Sequence, residues 1–151
     1  MINIAIEVDH VIDIDNSWLE KVASYALNFQ SPKPNVDLSI IITDNNLLQE
    51  LNREYLGIDA PTDVLSFNVD EIDPETGNYY LGDIIISYQK ANEQAVTAGH
   101  EIQSELSLLI IHGVLHLLGM DHDTPESQEP MWKIQDQILS DMGLNLVSPK
   151  Y

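Results

Sequence analysis

Alternating apolar and polar positions predict four strands along this chain. Residues 2–8 alternate regularly, which is typical of a strand with one buried face. Residues 36–42 are rich in β-branched side chains and apolar on both faces, as expected inside a sheet. Residues 64–69 and 81–86 form the other two predicted strands, and an acidic, turn-rich stretch joins them. This connection favours a hairpin with a long loop.

Helical spacing and capping residues predict two helices in the first half. The first is expected to start at Ser17, because Ser17 and Glu20 form a capping-box pattern. The second follows a cap at residues 43–46 and should end near Gly57, which can adopt the left-handed conformation. Its predicted core side carries four large apolar residues, namely Leu47, Leu48, Leu51 and Tyr55.

Three more helices are predicted in the second half. One covers residues 87–98 and stops at Gly99, and the next begins near Glu101 and is apolar nearly all round, as expected for a central buried helix. The last helix opens with Thr124 as its cap and Pro125 in its first position. Early strands and late helices predict one α+β domain over residues 1–151, with a small mixed four-stranded sheet packed by about five helices.

Charge and composition exclude several classes of function. The 25 acidic residues outnumber the six basic ones, the net charge is −19, and the basic residues are scattered singly. Tight binding to free nucleic acid is therefore disfavoured, because lysine and arginine normally supply that affinity. The absence of cysteine excludes disulfides, thiolate ligands and a cysteine nucleophile. No apolar run approaches the length of a membrane helix, so we expect a cytoplasmic protein without a membrane partner.

Three of the five histidines, His112, His116 and His122, cluster near the end of the predicted central helix. His112 and His116 are four residues apart, so one helical face carries both rings. Gly119 is placed to end the helix, and the chain can then return His122 to the same point. Three neutral imidazoles leave one position of a tetrahedral Zn²⁺ open for water. The spacing therefore predicts a catalytic metal cleft that holds one divalent ion, Zn²⁺ first among the candidates.

The same histidine spacing occurs in metzincin proteases, which makes a zinc metalloprotease-like hydrolase an alternative. Those proteases place a glutamate directly after the first histidine as general base, whereas this chain has Gly113 there. The water-activating carboxylate is thus missing from its expected place. His10 and His100 have no histidine at ligand spacing and are interpreted as surface or boundary residues.

Two separated blocks resemble the YbeY-type family of bacterial rRNA maturation factors, which are regarded as metal-dependent, single-strand-specific endoribonucleases. The first block is HGVLHLLGMDH at residues 112–122. The second comprises LNREY at residues 51–55, DAPTDVLSF at residues 59–67 and LGDI at residues 81–84, in the family's order and at similar separation. One departure concerns Leu56, because members commonly carry arginine at this position after the tyrosine.

The resemblance implies a zinc-like ion on His112, His116 and His122 in a cleft beside the sheet of an α+β fold. It also implies a role in 16S rRNA 3′-end maturation and ribosome quality control, with single-stranded rRNA and the small ribosomal subunit as partners. Asp121 is a candidate catalytic residue that could orient an imidazole or move a proton, and a turn role explains it equally well. A non-catalytic assembly factor that uses the metal only for stability is the alternative from another class.

The residues leave several points of mechanism open. A water activated by the ion or a ribose 2′-OH could attack the phosphodiester, and Zn²⁺, Ni²⁺ or Fe²⁺ could be the native metal. Thr62, Asp63 and Ser66 are further candidates for lining the cleft, and roles in a turn or at the start of a strand explain them equally well. Because the surface is so acidic, we expect only weak affinity for naked RNA.

Overall fold

A computed structural model describes residues 1–9, 12–121, 123–144 and 146. His10 and His122 therefore lie outside the described residues. Four strands and five helices follow one another along these residues: β1 (Ile2–Ile6), α1 (Asn16–Asn28), β2 (Val36–Thr43), α2 (Asn45–Leu56), β3 (Val64–Ile72), β4 (Tyr79–Ser87), α3 (Tyr88–Ala98), α4 (Ile102–Leu117) and α5 (Pro125–Asp141).

The strands form one mixed sheet in the order β1-β2-β4-β3. β2 pairs in parallel with both β1 and β4, whereas β3 and β4 form an antiparallel hairpin. The α+β fold with four strands and five helices is therefore confirmed. None of the helices in the described part of the chain combines the length and the apolar character needed to span a membrane.

Helices cover both faces of the sheet because side chains alternate along its central strands. Ile40 and Ile84 point to one face and belong to the main core, which α1 and α4 complete. Ile85 points to the other face and packs with Leu48 of α2 and Leu65 of β3. The central position predicted for α4 is confirmed, because twelve of its sixteen residues are buried.

Most helices begin or end at the capping residues that the sequence predicted. Asp44 accepts the Leu47 backbone N–H at the start of α2, and Gly57 ends that helix with a φ of 72°. At the start of α5, Thr124 forms a reciprocal capping box with Ser127. These caps use residues within one turn of the helix end, so sequence alone could identify them.

Three local predictions were wrong. The cap of α1 is Asp15 rather than Ser17, because the Asp15 carboxylate accepts the Trp18 N–H at 3.2 Å, and the cap therefore lies two residues earlier than predicted. Tyr55 does not face the core, since it is 61% exposed and only leans on Phe67. β1 ends at Ile6, and that residue is exposed.

Candidate active site

Close packing of α4 on the sheet positions two of the predicted ligands. Gly113 makes this approach possible, because a Cβ at that position would lie 2.8 Å from Cγ2 of Ile84. His112 precedes this contact and is only 4% exposed, while His116 lies one turn later and is half-buried. A side chain at residue 113 would start against β4, so a carboxylate introduced there would meet the sheet first.

The rings of His112 and His116 converge on one point. Their Nε2 atoms are 3.0 Å apart, and the two rings meet edge to face at an interplanar angle of 77°. Nδ1 of His112 lies 3.0 Å from Oε1 of Gln135 in α5. A carbonyl oxygen only accepts, so Nδ1 of His112 carries the proton and its Nε2 keeps a lone pair. His116 Nε2–H then donates to His112 Nε2.

This pair of nitrogens suits a transition-metal ion. Two ligands of a tetrahedral Zn²⁺ at 2.0 to 2.1 Å are about 3.3 Å apart, which the observed 3.0 Å approaches within a few tenths of an ångström. Within the residues that the structure describes, no set of three histidine and carboxylate side chains is grouped closely enough to hold a metal. The third predicted ligand, His122, lies outside those residues.

The helix that carries the two histidines ends close to Gly119, as predicted. α4 ends at Leu117, and Gly119 has a φ of +95°, which glycine adopts readily. Its backbone N–H donates to the His116 carbonyl oxygen at 2.9 Å. The helix therefore ends close to the predicted glycine, and the return of His122 to the two histidines stays a prediction.

The two histidines line a cleft of about 790 Å³ between α4, β3 and the start of α3. The predicted lining residues Thr62, Asp63 and Ser66 all face it, which confirms that expectation. The remaining described residues of the lining are Leu56, Pro61, Val64, Leu65, Asn68, Lys90, Gln94 and Asp123. Such a volume accommodates a nucleotide-sized ligand.

Side chains of β3 attach the cleft wall to α4. Asn68 Nδ2 donates to the Leu117 carbonyl oxygen at 2.8 Å, at the end of α4 where carbonyls lack helical partners. Ser66 Oγ donates to the Gly113 carbonyl oxygen at 3.4 Å. The histidine-bearing turn of α4 is thus held both by apolar packing and by polar contacts from the neighbouring strand.

The cleft is poor in positive charge. Lys90 is the cation among its described lining residues, and its ammonium lies 3.7 Å from the Glu93 carboxylate on the exposed side of α3. Leu56, where the resemblance to the YbeY-type family predicted arginine, lines the cleft and is 59% exposed. Arg53 instead lies 3.9 Å from Asp59, both side chains being exposed, so it does not replace that cation.

The acidic residues around the histidines have different surroundings. Asp121 is exposed, and its Oδ1 accepts the Asp123 backbone N–H at 3.3 Å, a turn contact. Asp123 rather than Asp121 lines the cleft. A catalytic role for Asp121 stays a prediction.

A histidine–glutamate pair lies at the other end of α4. His100 Nε2 is 2.6 Å from Oε2 of Glu105, and the carboxylate side chain is only 3% exposed. Burial raises the pKa of Glu105, and the nearby charge of Asp63 adds to this, whereas His100 opposes it. The boundary position predicted for His100 is confirmed, since its side chain is 18% exposed.

Sequence reasoning missed several cleft residues, among them Lys90 and Gln94, and one supporting residue. Lys90 and Gln94 lie on α3, where neither helical spacing nor a motif distinguishes them from other polar residues. Gln135 on α5 carried one usable signal, because a polar residue occupies a position one turn from the core residue Met131. Its contact with His112, 23 residues away, depended on how the two helices pack.

Comparison with known proteins identifies the chain's relatives. The family model for endoribonuclease YbeY matches residues 3–143. Proteins named endoribonuclease YbeY are 38% identical in Clavibacter sepedonicus, over 91% of this chain and 93% of that protein, and 41% identical in Acetivibrio thermocellus, over 83% and 85%. The solution structure of a Thermotoga maritima protein, TM1509, superimposes with a TM-score of 0.60 at 25% identity, covering 94% of this chain and 89% of that one.

The family model and the curated relatives extend over nearly the whole chain, well beyond the histidine motif that first suggested the relationship. The chain belongs to the endoribonuclease YbeY family.

Proposed function

We propose that this chain is a metal-dependent endoribonuclease that cuts single-stranded rRNA in the cytoplasm during small-subunit maturation and quality control, at the 3′ end of 16S rRNA. One observation carries the proposal: His112 and His116 direct Nε2 atoms 3.0 Å apart into a nucleotide-sized cleft of a chain from the endoribonuclease YbeY family. Convergent imidazoles at the base of a cleft suit chemistry on a bound substrate better than structural support.

His112 and His116 would hold the ion, with His122 as the third ligand. A bound divalent ion such as Zn²⁺ supplies charge for a phosphoryl oxygen and lowers the pKa of a coordinated water. Asp123 faces the cleft and Asp121 lies two residues before it, so either carboxylate is placed near the ligand segment for orienting a ligand or moving a proton. Attack by a coordinated water and attack by a ribose 2′-OH are both compatible with this placement.

The charge of the cleft bears on how RNA reaches it. Asp63 and Asp123 offset Lys90, and Leu56 contributes no charge. Few phosphate contacts are therefore available, and the affinity for naked RNA should be weak and only slightly dependent on salt. We infer that the small ribosomal subunit positions the RNA strand, so small-subunit particles should bind better than the same RNA alone.

Cleavage of single-stranded RNA by the unmodified protein and by His116→Ala tests the reaction. Both proteins are purified by the same route, freed of bound metal with a chelator and reloaded with Zn²⁺. Cleavage should require the metal and the histidine, and casein assayed in parallel should stay intact because Gly113 offers no general base.

Other outcomes point to the alternatives. Equal RNA cleavage by both proteins would indicate contaminating nuclease and favour a metal-stabilised assembly factor. Metal-dependent hydrolysis of casein without RNA cleavage would favour the protease-like hydrolase.

A further inference from the structure

Gln135 is a polar residue in the buried side of α5. It is fully buried, and the other buried residues of this helix, Met131, Ile138 and Leu139, are all apolar. Burying an amide costs free energy unless hydrogen bonds replace its lost hydration. An apolar residue would occupy this position at a lower free-energy cost, so a polar contact should explain the presence of the amide.

The contact between Gln135 and His112 is chemically specific. Its Oε1 lies 3.0 Å from Nδ1 of His112, and both side chains are buried. The amide oxygen accepts the proton of Nδ1, which leaves the lone pair of His112 on Nε2, the nitrogen facing His116. The opposite tautomer would place a proton where a metal must bind.

We propose that Gln135 is a positioning residue for the metal ligand His112: it fixes the tautomer and the ring orientation that present Nε2 to the ion. This inference rests on the metal site of the proposed function. It assigns α5, which does not line the cleft with any described residue, a role in metal affinity. Partners of this kind typically change metal affinity by about 10- to 100-fold when removed.

The burial of His112 explains why that ring depends on a protein partner. At 4% exposure, its Nδ1–H has little access to water that could replace the amide oxygen. Apolar contacts of Met131, Ile138 and Leu139 already attach α5 to the core, so docking of the helix does not require the hydrogen bond.

Three variants of the full chain separate positioning from packing. Gln135→Leu removes the acceptor at similar volume, Gln135→Glu keeps an acceptor for Nδ1–H, and Gln137→Leu changes an exposed glutamine on the same helix. The dissociation constant for Zn²⁺ alone is measured by chelator competition, and urea unfolding of the metal-free proteins reports folding.

We expect the Zn²⁺ dissociation constant of Gln135→Leu to rise by about 10- to 100-fold, with the metal-free protein still folded. Gln135→Glu should stay within a few-fold of the unmodified protein, and Gln137→Leu should be unchanged. If Gln135→Leu fails to fold, Gln135→Glu decides: retained affinity supports positioning, and a loss as large as that predicted for leucine overturns it.

The inference and the proposed function fail in different ways. Equal Zn²⁺ affinity in Gln135→Leu and the unmodified protein would overturn the positioning role and leave the metal site standing. An unmodified protein that bound no divalent ion would overturn the metal site and the positioning role together. Cobalt substitution adds a second readout, because a displaced imidazole should change the visible absorption bands of Co²⁺ in Gln135→Leu and leave them unchanged in Gln137→Leu.

Discussion

The His100–Glu105 pair and the His112–His116 pair lie near opposite ends of α4 and have contrasting surroundings. Next to its first turn, His100 bonds to the buried carboxylate of Glu105 at 2.6 Å. In its last turns, His112 and His116 bring two Nε2 atoms within 3.0 Å at an open cleft. The first pair matches an imidazole with a carboxylate, which satisfies both groups. The second brings two like groups together, an arrangement that a shared cation would stabilise.

Partner chemistry therefore separates a structural histidine from a candidate ligand better than burial does. His112 is the most buried of these three rings, yet it belongs to the candidate site. A carboxylate partner explains why His100 is retained without any ligand. The nitrogens of His112 and His116 share one hydrogen bond in the structure, and the same convergent geometry suits a shared cation.

The largest expected effect, on metal binding and RNA cleavage, follows from removing a cleft histidine. His116→Ala should abolish stoichiometric Zn²⁺ binding and lower RNA cleavage by more than about 100-fold, beyond the usual effect of a supporting residue. Elemental analysis and a cleavage assay measure both. His100→Gln is the matched control, because it keeps a donor for Glu105. If His100→Gln lost as much metal as His116→Ala, the distinction between the two pairs would be wrong.

A smaller effect, on the free energy of unfolding, is expected at the contact between Gly113 and Ile84. In Gly113→Ala the added Cβ meets Ile84 at 2.8 Å. Overpacking of a core costs about 1 to 3 kcal/mol, while replacing a helical glycine by alanine gains up to about 1 kcal/mol. We therefore expect a net loss of about 1 kcal/mol in the free energy of unfolding, measured in urea.

A double-mutant cycle with Ile84→Ala identifies the cause of that loss. Removing the Ile84 side chain opens space for the new methyl group, so the two substitutions together should cost less than the sum of their separate effects. Strict additivity would mean that the close contact is not the source of the destabilisation.

A modest change in RNA binding should follow from altering cleft charge. Lys90→Ala should weaken binding and reduce the salt slope by about 1, because one phosphate contact is lost. Leu56→Arg should strengthen binding, since that position lines the cleft. Lys133→Ala, on the exposed side of α5, is the control, and titrations at several salt concentrations measure all three. An equal effect of Lys133→Ala would locate the RNA outside the cleft.

The smallest expected effect is the pH dependence of the unfolding free energy that the His100–Glu105 pair contributes. Burial raises the pKa of Glu105 above its ordinary value of 4.5, so the folded protein binds this proton more tightly than the unfolded chain does. The stability that Glu105 contributes is therefore fully present below pH 4.5 and declines as pH rises through the folded-state pKa.

Glu105→Gln should remove this decline while keeping a partner for His100. Unfolding measured from about pH 4 to about pH 8 should give a flatter stability curve for the variant than for the unmodified protein. Parallel curves would mean that the pKa of the buried carboxyl is the same in the folded and unfolded states.

Local patterns predicted most elements and the histidine pair. A helical period of 3.6 residues places His112 and His116 on one face regardless of the rest of the fold, and Gly119 ends that helix in the expected conformation. The prediction for Tyr55 was wrong because periodicity identifies a helical face but not how far the core beneath that face extends. Tyr55 falls beyond the edge of the small core beneath α2.

The amino-acid sequence by itself determined the order of strands and helices, most of their caps and the spacing of two metal-ligand candidates, because these depend on interactions within a few residues. Only the tertiary structure decided that β4 lies between β2 and β3, that Leu56 and Lys90 face one cleft, and that Gln135 meets His112. Gln135 and His112 are 23 positions apart in the sequence, and Val36 of β2 pairs with Tyr79 of β4, so sheet order and helix packing bring distant residues together as the shared core is buried.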